Sequence, residues 1–326
     1  MINPNPKIIE RMPFNRSSGI TILDSAINSC ASLESQLCES FTMNDILFNS
    51  DISTAKTNSR NVFNTYHRNG QVKLLLVELF FITHYIDFSV ATKVNPIIIL
   101  YIGCSPGIHF DALLKLCSPF DNLIFHLYDS VEPDFEWDER CMFYKEIFGT
   151  EEHIYRYRNT KNVYIISDAY STITNEYETM RESLRWCSAI KPEHAMLRFI
   201  PLYESRDTQS FKFCKGTLIR QPYLPNPASE LRIITNSYEC DTEWFYDELI
   251  KRIQYHNDCI RKEYIYKNPF TNFHHAIYGK KHIGCNWDSS AFVFIVNEYI
   301  KCLGLKPTYR TCIKIIEIIF SGRIVC

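Results

Sequence analysis

Hydrophobic runs alternate with amphipathic stretches through the middle of the chain. Continuous runs of β-branched and aliphatic residues predict buried strands at about 96–102, 123–128, 162–167 and 194–200. Periodic apolar positions between them predict helices near 107–117, 150–158 and 174–188. A further strong helix, from Gln71 to about Phe88, carries Lys73 and Glu78 on a different face from most of its leucines. This alternation is typical of an α/β fold with a mixed, mostly parallel sheet and flanking helices.

The two ends of the chain are patterned differently from the middle. Residues 1–65 are rich in Asn, Ser and Thr and predict a partly ordered N-terminal arm. Beyond Pro201, proline-rich turns precede a predicted antiparallel strand at Leu231–Ile234 and a long amphipathic helix from about Thr242 to Tyr264. We therefore expect an arm at 1–65, a core at 66–265 and a helical extension of the same domain at 266–326.

A glycine-bracketed turn follows the first predicted strand. Gly103 and Gly107 allow the backbone to pass close to a ligand, but a dinucleotide fold would have a third glycine where Phe110 stands. Asp129 ends the next strand, where an acidic side chain accepts hydrogen bonds from ribose hydroxyls. The pattern disfavours NAD and favours S-adenosylmethionine (SAM). The alternatives are an ordinary turn at the glycines and helix N-caps at Asp129 and Asp168.

Composition narrows the class of protein only slightly. The 326 residues are 46% hydrophobic and 22% charged, which fits one enlarged α/β domain. A net charge of −2 means that RNA binding would require a local basic patch. Thirteen cysteines without a C-x-x-C pair or a signal peptide favour reduced thiols and a cytoplasmic protein. No apolar run approaches the roughly 20 residues of a membrane helix, so we expect no membrane partner.

Metal binding has one candidate cluster. His274, His275, His282 and Cys285 include donors that zinc accepts. No second cysteine accompanies them, and we expect no metal site.

Five segments follow one another along the chain: Gly70–Phe81, Tyr101–Gly107, Ile165–Asp168, Gln221–Tyr223 and Ala228–Arg232. Together, and in this order, they resemble the poxvirus cap-specific mRNA 2′-O-methyltransferase family. The resemblance spans about residues 65–265 and implies a Rossmann-like, SAM-dependent methyltransferase fold in a viral protein of the host cytoplasm or the virion. In that family the same protein is the small, processivity subunit of the poly(A) polymerase. The implied partners are capped mRNA and a poly(A) polymerase catalytic subunit or the transcription machinery.

The family surrounds the methyl-accepting hydroxyl with a Lys-Asp-Lys-Glu tetrad. Lys73, Asp168 and Glu230 match three members, and Arg198 stands in place of the second lysine. A lysine whose pKa is lowered by burial and a neighbouring cation can take the hydroxyl proton, and for Lys73 we expect that cation to be Arg198. A guanidinium stays protonated, so Arg198 can only orient the hydroxyl or stabilise negative charge. Losing a positioned base costs about 10²–10⁴ in rate, which indicates either a slow enzyme or a subunit that has lost catalysis.

The resemblance also implies contacts to the cofactor and to the cap. Around SAM it places Gln71, Tyr101, Gly103, Gly107 and Asp129, with Phe148 beside the adenine and Val131 where the family has an arginine. The family holds the methylated guanine between two aromatic rings and reads its charge with carboxylates. For this cap site the resemblance implies Tyr203, Glu204 and Asp247, with Phe48, Phe63 and Tyr66 available as the second ring.

Taken singly, these residues have simpler interpretations. Lys73 would be a solvated helix lysine, Glu230 and Arg232 a surface pair on a strand, and Tyr203 with Glu204 a turn aromatic beside a solvated acid.

Two functional hypotheses remain open. The first is SAM-dependent 2′-O-methylation of the first transcribed nucleotide of capped mRNA. The second is a methyltransferase-fold subunit, catalytically weakened or inactive, that serves a poly(A) polymerase as a processivity or RNA-binding partner.

Overall fold

A computed structural model describes residues 39–48, 70–170, 175–201, 209–223, 230–261, 266–267 and 287–320. Its strands are β1 Glu39–Ser40, β2 Ile97–Ile102, β3 Leu123–Tyr128, β4 Cys141–Tyr144, β5 Val163–Ser167, β6 His194–Phe199, β7 Ser210–Phe213, β8 Thr217–Ile219, β9 Leu231–Thr235, β10 Thr242–Phe245 and β11 Tyr266–Lys267. Its α-helices are α1 Met43–Ile46, α2 Gly70–Tyr85, α3 Phe110–Cys117, α4 Glu151–Tyr157, α5 Glu176–Ile190, α6 Tyr246–Tyr255, α7 Trp287–Cys302 and α8 Tyr309–Phe320. A 3-10 turn lies at Phe88–Val90 and a π-helical turn at His256–Ile260.

Seven strands form one sheet in the order β4-β3-β2-β5-β6-β9-β8. The first five are parallel, β9 runs antiparallel to β6, and β8 antiparallel to β9. This confirms the predicted mixed, mostly parallel sheet. The chain leaves β2 toward β3 on one side and later returns to β5 on the other side. Such a switch point opens a crevice outside the carboxyl ends of the central strands.

Helices cover both faces of the sheet, which explains why β2 is apolar at every position. Ile97, Ile99 and Tyr101 belong to the apolar cluster that includes α2, α3, α7 and α8. Ile98 and Leu100 belong to the opposite cluster, with α4, α5 and α6. A strand buried on two faces has no polar face to present.

Helix α2 lies between the sheet and α7, so it has little contact with solvent. The residues from Leu74 to Ile82 are buried, and they include Glu78. The face that carries Glu78 is therefore not a solvated face. Glu78 is tolerated there because it has polar partners, which are described with the site below.

The predicted helix at Thr242–Tyr264 is wrong at its start. Residues 242–245 form β10, which pairs antiparallel with β7. Exposed and half-buried side chains alternate there, and Trp244 packs on Phe199 with ring centroids 5.1 Å apart. This two-residue period is a strand pattern. The helix begins only at Tyr246 and passes into the π-helical turn after Tyr255.

Both ends of the described chain join the core. In the predicted arm, Ile46 and Phe48 are each 1% exposed. At the other end, the Tyr299 hydroxyl donates to the Leu116 carbonyl at 2.6 Å, which ties α7 to the end of α3. Residues 65 and 265, after which the two predicted boundaries fall, lie outside the described ranges. The division at 1–65, 66–265 and 266–326 therefore stays a prediction. Among the described helices, none is both long and apolar enough to cross a membrane.

Candidate functional site

Four predicted residues meet at the carboxyl edge of the sheet. Lys73 lies in the first turn of α2, Asp168 follows β5, Arg198 lies in β6, and Glu230 precedes β9. Lys73 Nζ is 3.4 Å from both carboxylate oxygens of Glu230. Arg198 Nη2 is 3.7 Å from Glu230 Oε2, and its Nε is 3.8 Å from Asp168 Oδ1. Residues from four separate elements thus form one charged cluster.

A fifth residue, Arg232, links the two carboxylates of this cluster. Its Nη2 donates to Asp168 Oδ1 and lies 3.0 Å from Glu230 Oε1. The same guanidinium donates from Nε to Gln221 Oε1 at 3.1 Å and from Nη1 to the Ser167 carbonyl at 3.2 Å. Arg232 is 1% exposed, so the interpretation of Glu230 and Arg232 as a surface pair is wrong. The sequence placed Arg232 in a matching segment but indicated no role for it.

Burial and a neighbouring cation act together on Lys73. Its side chain is 12% exposed, so it is not a solvated helix lysine. Burial lowers the pKa of Lys73, and Arg232 lowers it further, while Glu230 and Asp168 partly oppose the shift. The expectation that Arg198 would be the responsible cation is corrected, because that cation is Arg232. A lowered pKa increases the fraction of Lys73 that is neutral near physiological pH.

Glu230, in contrast to Lys73, is held in its charged form. Burial alone would raise its pKa, but Arg232, Lys73 and Arg198 together lower the pKa of Glu230 to about 2. Glu230 is therefore an ionised acceptor beside an amine whose pKa is lowered. Together these two groups can orient a hydroxyl and remove its proton.

The two glycines of the loop after β2 are required by close approaches within the chain. Gly103 has φ +83°, and a Cβ there would lie 2.7 Å from the Ala169 nitrogen. Gly107 has φ +66°, and a Cβ would lie 2.7 Å from Pro133 Cβ. Because the chain's own packing accounts for both glycines, their contact with a cofactor stays a prediction.

Asp129 accepts a hydrogen bond from the backbone of the same loop. Its Oδ2 accepts from the Ser105 backbone N–H at 2.9 Å and its Oδ1 from the Val131 N–H at 3.0 Å. A carboxylate offers about four acceptor positions, so further acceptor positions are left for ribose hydroxyls. The N-cap interpretations of Asp129 and Asp168 are both wrong, since β4 follows Asp129 and Asn175 caps α5.

A buried polar network joins two of the predicted cofactor residues to two residues for which the sequence predicted no role. The Tyr101 hydroxyl donates to Glu78 Oε1 at 2.6 Å. His109 lies between Glu78, 3.0 Å from its Nε2, and Gln71, whose Oε1 is 2.8 Å from Nδ1. Burial and the nearby Glu78 raise the pKa of Tyr101 well above its ordinary value, so it stays a neutral donor. The only sequence signal for Glu78 was a charge within an apolar run.

Phe148 also lies inside the protein. Its ring is 3% exposed and stacks on His153 at 5.3 Å, with Tyr128 and Trp186 against it at 4.9 and 5.4 Å. The implied contact of Phe148 with an adenine stays a prediction.

Most residues implied for the cap site lie outside the described residues. These cap-site residues are Tyr203, Glu204, Phe63 and Tyr66. The candidate zinc ligands His274, His275, His282 and Cys285 also lie outside the described residues. Asp247 lies in the first turn of α6 with a 71% exposed side chain, 3.9 Å from Lys251 Nζ. Phe48 is wrong as an open stacking ring, because it is buried under the guanidiniums of Arg220 and Arg252 at 5.2 and 4.7 Å. Within the described ranges, no group of three potential metal-binding side chains occurs.

The fold and the charged cluster define a Rossmann-like α/β protein whose site lies at the carboxyl edge of the sheet. The sequence profile of the poly A polymerase regulatory subunit family matches residues 41–286, which is more than half of the chain. The chain therefore belongs to the poly A polymerase regulatory subunit family, which confirms the predicted resemblance.

Two further comparisons add little to this assignment. A comparison with curated proteins gave no match. Among solved structures, the chain is similar to one from a study of bluetongue virus VP4 that describes a multifunctional RNA-capping production line. That similarity has a TM-score of 0.42 and 13% identity, and it covers 72% of this chain and 41% of the other. The matched region is thus less than half of the VP4 chain.

Proposed function

We propose that this protein transfers a methyl group from SAM to the 2′-hydroxyl of the first transcribed nucleotide of capped mRNA, and that it also serves a poly(A) polymerase as its regulatory subunit. The convergence of Lys73, Asp168, Arg198 and Glu230 at one edge of the sheet carries the methyl-transfer part. The family match supports the polymerase part.

The residues at this edge fit the chemistry of SAM. When bound, SAM supplies a methyl group on a positively charged sulfur. Asp129 has acceptor positions left for the ribose hydroxyls, and the glycine loop lies beside it. The Gln71 amide, in the first turn of α2, adds a neutral polar group two residues from Lys73.

The charged cluster supplies what a ribose hydroxyl needs in order to react. Neutral Lys73 can accept the hydroxyl proton at Nζ, and ionised Glu230 can hold Lys73 and the hydroxyl in position. Arg198 stays charged, so it orients the hydroxyl and stabilises the negative charge that develops on the oxygen. Arg232 helps to keep Glu230 ionised, and it fixes the positions of Asp168 and Glu230 because it contacts both.

The preference for capped RNA rests on the sequence resemblance together with Asp247. This exposed carboxylate at the start of α6 matches one of the family's cap-reading positions. Tyr203 and Glu204 are the implied ring and second carboxylate of the same site. A methylated guanine carries a positive charge, which an aromatic face and carboxylates bind in preference to unmethylated guanine.

A methyl-transfer assay with two matched short RNAs tests the proposal. One RNA carries a methylated cap, the other lacks it, and digestion with mass spectrometry locates the methyl group. We expect transfer to the 2′-hydroxyl of the first nucleotide, and only in the capped RNA. Lys301→Ala, on the exposed side of α7, should behave as wild type. Equal transfer to uncapped RNA, or transfer to a base, would contradict the proposal.

A second function is favoured by the position of Arg198. Its guanidinium forms ion pairs with both Asp168 and Glu230, where the resemblance implies a lysine. If this pairing has ended catalysis, the protein acts only as a regulatory subunit. The same assay would then show no transfer to either RNA, while addition of the protein to a poly(A) polymerase catalytic subunit would lengthen the tails it makes.

A further inference from the structure

Three polar side chains are buried together beside the loop that follows β2. Glu78 is 0% exposed, and Tyr101 and His109 are each 1% exposed. A buried carboxyl group is costly unless hydrogen bonds compensate for the lost water. Tyr101 and His109 supply these contacts, at 2.6 Å and 3.0 Å. An apolar side chain would fill this position of α2 without that cost, so the carboxylate calls for an explanation beyond packing.

The network runs from the core to the rim of the crevice. His109 follows the Gly107 turn and precedes α3, and it reaches Gln71 in the first turn of α2. Gln71 is two residues before Lys73. The methyl-transfer chemistry proposed above uses neither Glu78 nor His109. It therefore does not explain why these two polar side chains are buried beside the site.

Hydrogen-bond chemistry links the orientation of the Gln71 amide to Glu78. Both ring nitrogens of His109 face oxygens: Nε2 faces the Glu78 carboxylate and Nδ1 faces Gln71 Oε1 at 2.8 Å. His109 therefore bridges the buried Glu78 carboxyl group and the oxygen of the Gln71 amide. With its oxygen held by His109, the Gln71 amide has its NH₂ group left to donate elsewhere.

We propose that Glu78 and His109 are positioning residues that hold the Gln71 amide so that its NH₂ group donates to the carboxylate of the amino-acid part of SAM. The inference rests on the proposed function. The sulfur must lie near Lys73 for transfer to occur, and the amino-acid part is attached to that sulfur. The carboxylate is the one anionic group of SAM, so it is the group that an NH₂ donor recognises best.

Calorimetric binding of two ligands tests this inference without methyl transfer. S-adenosylhomocysteine carries the amino-acid part, whereas 5′-methylthioadenosine has the same nucleoside and sulfur but lacks that part. We expect Glu78→Gln and Gln71→Ala each to weaken S-adenosylhomocysteine binding by about tenfold, as expected for one lost bond to a charged group, and to leave methylthioadenosine binding unchanged. The double variant should bind no more weakly than Gln71→Ala, because both changes act through one amide.

Two further variants separate positioning from stability. His126 is another buried histidine, bonded to the Tyr157 hydroxyl at 2.8 Å on the neighbouring strand β3, and His126→Asn serves as the matched control. It should lower the unfolding temperature without changing the ratio of the two affinities. His109→Gln replaces Glu78→Gln if the latter does not fold, and it should change the ratio in the same direction.

The outcomes are distinct. An equal loss for both ligands in Glu78→Gln, or an effect confined to Gln71→Ala, would overturn the positioning role and leave the proposed function standing. Failure of the wild-type protein to bind either ligand would overturn both.

Discussion

At the scale of single residues, the charged groups at the sheet edge shift the pKa values of Lys73 and Glu230. Lys73, Arg198 and Arg232 surround the carboxylates of Asp168 and Glu230. Glu230 is kept ionised by its cations, while burial and Arg232 move Lys73 toward its neutral form. An anionic acceptor and a neutralisable amine thus lie in contact, which a pair of solvated side chains would not achieve.

The depressed pKa of Glu230 makes the folded state sensitive to acid. Its pKa is about 2 in the folded protein against an ordinary value of 4.5. The stability it contributes is therefore complete above about pH 4.5 and is lost as the pH falls toward 2. We predict that Glu230→Gln flattens the loss of unfolding free energy over this range, measured by denaturant titration at several pH values. Glu152→Gln, at an 85% exposed carboxylate, should follow wild type. Parallel curves for wild type and Glu230→Gln would show that the cluster does not hold this charge.

The sequence could predict which residues converge but not what each one does to the others. Lys73, Asp168, Arg198 and Glu230 were predicted because each lies in a recognisable segment near the end of a strand or the start of a helix. The influence of Arg232 depends on its depth of burial and on distances to groups far away in the chain, and these exist only after folding. Glu78 and His109 were missed for the same reason.

At the scale of elements, the buried parallel strands were predicted most accurately. The observed bounds of β2, β3, β5 and β6 lie within one residue of those expected. A strand buried on both faces has a nearly continuous run of apolar residues, and the ends of that run mark the ends of the strand. β4, β7, β8 and β10 were not predicted as strands. They have three or four residues each, and most of them are only partly apolar, so their pairing partners determine them more than their own pattern does.

The chain just after β2 and the chain just after β5 approach closely at Gly103. We predict that Gly103→Ala lowers the free energy of unfolding by about 2–4 kcal/mol, since it adds a steric overlap with the Ala169 backbone to the strain of a positive φ. Gly304→Ala is the matched control, because its φ is +72° with nothing within 4 Å of an added Cβ. Its cost should be only about 1–2 kcal/mol. Chemical denaturation of both variants measures the difference, and equal losses of unfolding free energy would mean that the overlap with the Ala169 backbone is relieved without cost.

At the scale of the whole molecule, the C-terminal helices support the helix that carries the site. α7 packs against α2, and Asp288 at its start accepts from the Tyr223 backbone at 2.8 Å and pairs with Arg261 at 2.9 Å. Lys73 and Gln71 therefore lie on a helix held between the sheet and the C-terminal part of the chain. Sequence patterns predicted helices in this part but not their position, because packing between distant elements leaves no local signal.

The central claim is that the cluster around Lys73 performs methyl transfer, and it is tested most directly by the rate of 2′-O-methylation of capped RNA between about pH 6 and 10. Only the neutral amine accepts a proton, so we predict that the wild-type rate rises with pH and levels off above the lowered pKa of Lys73. Lys73→Ala should abolish transfer, and Arg198→Lys should raise it by restoring a second amine. Robust wild-type turnover that is independent of pH, survives Lys73→Ala or falls in Arg198→Lys would contradict the claim.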